Sequence, residues 1–232
     1  MIKNLLHIYT DQKASILKSL LIYAGGLLII AFIGLQSYIP ISQLTRDLSA
    51  ITGGKFYYGL LSNLGLLMWC AAASVCMFSS YILKKRKKLL SGFLMFSGAL
   101  TLFLLLDDMF LFHEEVFPKY LGINEKFILA IYPLSICYLF LKYQIQILKT
   151  SYLILLSSLG FLALSMATDV IFRKMSGVQL IFEDGFKFLG IIGWFFYFTN
   201  TCISAILEPV VVEKRIVELY PDVVQMPEHY IA

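Results

Sequence analysis

Apolar residues fill this chain in long uncharged stretches, and the charged residues fall between them. No Lys, Arg, Asp or Glu occurs between Lys18 and Arg46, Lys55 and Lys84, or Lys88 and Asp107. The same holds between Lys126 and Lys142, Lys149 and Asp169, and Lys187 and Glu208. A helix needs about 20 mostly apolar residues to cross the hydrocarbon core of a bilayer. The pattern therefore predicts six membrane-spanning helices, at about 18–36, 58–82, 89–112, 127–147, 151–172 and 187–207. The fourth uncharged stretch is the shortest, and there the four-carbon stem of Lys142 must carry its ammonium toward the headgroups. The expected fold is an all-α integral membrane bundle, with a polytopic domain at 1–207 and a cytoplasmic tail at 208–232.

Three shorter segments carry an amphipathic pattern. Before the first span, Ile2, Leu5, Leu6, Tyr9 and Ile16 fall near helical spacing beside Lys3 and Lys13, which predicts a short interfacial helix. No small-residue cleavage site closes the apolar run that follows, so this segment is expected to be retained. In the first external loop, Ile41, Leu44, Leu48 and Ile51 share one face after Pro40, and Gly53-Gly54 ends the helix. In the tail, Ile216, Val217 and Tyr220 lie among Glu213, Lys214, Arg215 and Glu218, an apolar face suited to a cytoplasmic protein partner.

Composition narrows the class. Of 232 residues, 59% are hydrophobic and 15% are charged. A soluble domain has about 45–50% apolar and about 25% charged residues. Disorder is excluded as well, because 19 Phe and 14 Tyr are far too many aromatics for it. The run Lys84-Lys85-Arg86-Lys87-Lys88 between the second and third spans marks a cytoplasmic loop, as short loops rich in Lys and Arg do. Six spans then place both termini in the cytoplasm, with 12 Lys and Arg inside against 7 outside. That run is read as a topology signal rather than a nucleic-acid site, and the expected location is the plasma membrane, the inner one in a bacterium. Gly25-Gly26, and Gly190 with Gly193, offer places for close helix contact, and a homo-oligomer is expected.

Candidate chemistry gathers at the outer ends of the third, fifth and sixth spans. Asp107 and Asp108 close the third, and His113, Glu114 and Glu115 follow. On an unbroken helix Asp107 and Glu114 lie within about 20° of each other, whereas His113 turns about 120° away from Asp107. Asp169 ends the fifth span, and Glu183 and Asp184 precede the sixth, where a helix start favours acidic residues. Carboxylates at membrane depth are costly and serve ions, protons or substrates. Asp107, Asp108, Glu114, Asp169, Glu183 and Asp184 are thus the predicted ion or substrate site. A divalent metal is the only cofactor suggested, held by Asp107 and Asp108 with His113. A zinc site of several histidines is excluded, since the topology puts His7 and His229 on the other side.

Three functions fit these features. The chain handles cations or protons, as a channel, transporter or ion-responsive protein; this needs nothing the sequence lacks. Alternatively it is a membrane enzyme acting on lipid or lipid-linked substrate through a carboxylate-held metal, or an anchor recruiting a soluble partner through its tail. No nucleotide-binding or serine-hydrolase motif occurs.

Overall fold

In hydrocarbon every backbone N–H and C=O must find its partner within the segment, so an uncharged apolar stretch becomes a helix. The computed structural model describes residues 23–45, 48–171 and 177–219, and every regular element among them is helical. The chain divides into two units, 1–58 and 59–232.

The first unit holds α1 (Tyr23–Leu35), α2 (Ile41–Thr45) and α3 (Leu48–Thr52). The expected loop helix is thus two short helices. Gln36 ties the corner after α1: its Oε1 accepts from the Tyr38 and Ile39 N–H groups at 3.0 and 2.9 Å. The interfacial helix predicted before residue 18 lies outside the described residues.

The second unit contains α4 (Leu60–Leu83), α5 (Lys88–Phe110), a π turn (Phe112–Val116), α6 (Phe117–Leu121), α7 (Glu125–Leu148), α8 (Tyr152–Ile171) and α9 (Gly177–Leu219). Four stretches are long and apolar enough to cross a membrane: Leu60–Leu83, Lys88–Phe110, Phe127–Leu148 and Leu180–Glu208. The described apolar stretches Tyr23–Leu35 and Tyr152–Thr168 are shorter. Only 22% of the apolar window in Phe127–Leu148 is buried, and Leu134, Leu141, Phe78 and Tyr81 stand exposed. A surface this apolar suits lipid rather than water, and the chain falls in the membrane-protein class.

The sixth predicted helix differs in extent. It starts at Gly177 rather than near 187 and runs through Pro209 to Leu219. Glu183 and Asp184 are therefore inside α9, not at its start. The side chains of Ile216 and Val217, and all of Tyr220, lie outside the described residues.

Within this unit α9 packs against α4 and α8, α4 against α5, and α7 against α5. Trp194 of α9 donates from Nε1 to Thr101 Oγ1 of α5 at 2.9 Å and meets Trp69 of α4 edge-on. Lipid tails are as apolar as leucine, so such helices associate through close packing and hydrogen bonds. Gly190 is where α9 nears α8: a Cβ there would fall 2.6 Å from Leu162 Cγ. The bared carbonyl accepts from Ser158 Oγ at 2.7 Å. Gly190→Val is accordingly expected to lower stability by about 1–3 kcal/mol through overpacking. Unfolding of the detergent-solubilised protein by titrated dodecyl sulfate measures it, and an unchanged midpoint counts against this packing.

Candidate functional site

Asp107 and Asp108 sit near the end of α5, and adjacent helical residues point about 100° apart. They consequently face different neighbours, and the single acidic patch expected from sequence is divided in two.

Asp107 is 4% exposed. Its Oδ1 accepts from the His113 backbone N–H at 2.9 Å, and its Oδ2 from His113 Nδ1 at 2.6 Å. This corrects the expectation that His113 turns away. α5 stops at Phe110, and Leu111 takes a left-handed conformation (φ 52°, ψ 44°). The chain reverses into the π turn and brings His113 back over the carboxylate. A left-handed leucine costs about 1–2 kcal/mol, and a hydrogen bond to a charged group contributes about 1.5–3 kcal/mol. Two such bonds from Asp107 to His113 outweigh the strain. Leu111 is the only non-glycine residue with positive φ among the described residues.

The same break separates Asp107 from Glu114. Glu114 Oε1 lies instead 3.4 Å from His113 Nε2, so the imidazole has a carboxylate at each nitrogen. The hydrogen bond to Asp107 holds the His113 pKa above its ordinary value against the opposing effect of burial, with the charges of Asp107, Glu114 and Glu125 adding to it. From α7, the buried Tyr132 hydroxyl faces Asp107 without reaching full hydrogen-bond geometry. Glu115 pairs with Lys119, and both side chains are exposed.

Asp108 points toward α9 and pairs with Lys187. The pair borders a narrow cavity of about 20 Å³, lined also by Ser62, Gly65, Asp184 and Ile191. That volume holds about one water molecule. Asp184 therefore joins Asp108, while Glu183, half-buried on the same helix, is not among the lining residues. The Asp169 side chain lies outside the described residues. Among those described, no three His, Cys, Asp or Glu side chains are grouped to hold a metal ion.

Two participants were not singled out from sequence. Tyr132 is one aromatic among many in an apolar helix, and nothing in its spacing marks it. Lys187 left a fainter sign, a lone cation following Glu183 and Asp184.

A raised histidine pKa links protonation to folding. A histidine with a raised folded pKa gives stability that is full below its unfolded pKa, about 6.5, and lost as pH rises through the folded value. Wild-type thermal stability is expected to fall over that interval, and His113→Gln to remove this component. Melting curves between about pH 5 and 9 test it; a component that persists in the variant belongs to other groups.

A family model described as a domain of unknown function, DUF8692, matches residues 20–201. No curated protein and no solved structure matches the chain. Both the Asp107–His113 and the Asp108–Lys187 pairs fall within the matched residues. The match spans most of the sequence, and the chain belongs to the DUF8692 family.

Proposed function

We propose that this chain is a polytopic membrane protein that takes up and hands on protons at an acidic site on its extracytoplasmic side. The observation that carries the reading is the His113 imidazole, held between Glu114 and the buried Asp107 at the edge of an apolar helix. In this reading α1 and α8 complete six spans, and both termini are cytoplasmic. The basic run Lys84–Lys88 lies at the far end of α5 from Asp107, which supports the orientation through the Lys and Arg bias of cytoplasmic loops.

The geometry favours protons over a held cation. Both Asp107 oxygens already accept from His113, and Asp108 is paired with Lys187. A proton needs only a lone pair. Arriving by way of Glu114, it binds His113 Nε2, and the Nδ1 proton then passes to Asp107 Oδ2. Neutral Asp107 is left facing the Tyr132 hydroxyl, which can accept from it or donate to it.

Liposomes carrying the purified chain and an internal pH dye test this. After an external acid step, wild-type vesicles should acidify faster than empty ones, and vesicles with His113→Gln should match the empty ones. Equal rates for all three would overturn the proposal.

A further inference from the structure

At the end of the second unit opposite the acidic site lies a cavity of about 960 Å³. It opens where the α4–α5 loop, the α7–α8 loop and the last apolar turns of α9 meet. Three lysines line it, Lys87, Lys88 and Lys149, against one carboxylate, Glu208. Hydroxyl and amide groups, among them Thr150, Asn200 and Ser204, share the rest of the wall with Leu89, Leu90 and Ala205.

The charges are not equivalent. Lys87 pairs with Glu208 and also donates to the Ala205 carbonyl at 3.2 Å, so those two groups neutralise each other. Lys88 and Lys149 have no such partner in the wall and leave it with an excess of positive charge. Two helices begin here as well. α5 starts at Lys88 and α8 at Tyr152, just after Ser151. At α8 the Tyr152 and Ile154 N–H groups already donate to the Thr150 and Ser151 carbonyls at 2.8 and 3.0 Å. It is therefore the first turn of α5 that offers N–H groups without an intrahelical acceptor and a dipole that favours an anion. Thr150 is held in the wall, its hydroxyl sharing a 2.8 Å hydrogen bond with that of the fully buried Tyr197 behind it.

We propose that this cavity binds a phosphate group, recognised by Lys88, Lys149, the start of α5 and the neighbouring hydroxyls. Two sources share that chemistry, the headgroup of an anionic phospholipid and a free phosphate in solution. The inference does not rest on proton handling, which concerns the opposite end.

The test uses the full chain in phosphatidylcholine–detergent micelles. Phosphatidylglycerol is added to one sample and inorganic phosphate to another, and unfolding is followed by heating. At about a hundredfold excess over Kd, the melting temperature should rise by about 5–10 °C. A rise with phosphatidylglycerol alone assigns a lipid headgroup, and a rise with inorganic phosphate assigns a free anion. Lys88→Gln/Lys149→Gln should remove the rise. Lys84→Gln/Lys85→Gln should keep it, because those loop lysines do not line the cavity. No rise with either additive, or equal loss in both variants, overturns the proposal. Should the first variant not fold, native mass spectrometry of the wild type decides: preferential retention of phosphatidylglycerol, or a retained phosphate, supports the site. Equal retention of phosphatidylcholine with no phosphate adduct refutes it.

Discussion

Asp107→Asn is expected to lower proton uptake by about 10²-fold or more, the size of contribution a positioned acid–base group makes. The substitution keeps an oxygen that can accept from the His113 backbone N–H, so the reversal at Leu111 has a route to survive. It removes the negative charge that holds the proton on the imidazole and the acceptor to which Nδ1 gives it. Replacing charge-assisted hydrogen bonds by neutral ones at a buried position is also expected to cost about 1.5–3 kcal/mol of stability. The two effects separate by temperature. Flux lost well below the melting transition reports the proton path, and flux that falls only as the protein unfolds reports structure alone. Uptake at the wild-type rate in folded Asp107→Asn would remove Asp107 from the mechanism.

The second large effect is at the Asp108–Lys187 pair, which joins α5 to α9. Breaking a fully buried pair by removing one partner costs about 3–5 kcal/mol, because the remaining charge is stranded. Asp108 is 15% exposed and Lys187 40%, so solvent screens part of that cost. Lys187→Met is therefore expected to destabilise by about 1–3 kcal/mol. The double variant Asp108→Asn/Lys187→Met strands no charge and should regain more than half of the loss. Dodecyl sulfate titrations of wild type, both single variants and the double variant give the coupling. Strictly additive losses would mean that the two residues act independently.

The membrane class was legible because hydrocarbon imposes one rule on every residue of a span. The helices predicted at about 58–82 and 89–112 agree with α4 and α5 to within two residues at each end. Side-chain pairing was less legible, since it turns on one backbone conformation. Leucine at 111 gives no sign of a left-handed turn, and without that turn His113 and Asp107 lie on different faces of a helix. The start of α9 was hidden for a related reason. Glu183 and Asp184 look like residues preceding a helix, yet the helix carries them on its side, where Asp184 reaches the cavity beside Lys187. Asn200 and Ser204 stood in plain view as a polar i,i+4 pair in an apolar helix. Their meaning depended on which loops close over that face.

The most direct test of the proton site is the protonation state of His113 itself. Labelling the chain with ¹⁵N-histidine leaves three imidazoles, from His7, His113 and His229, and the resonance absent in His113→Gln identifies the one of interest. With Asp107 against Nδ1, this resonance should titrate above the ordinary histidine value of about 6.5 and move back toward it in Asp107→Asn. Titration at or below about 6.5 in the wild type, unmoved by Asp107→Asn, would contradict it.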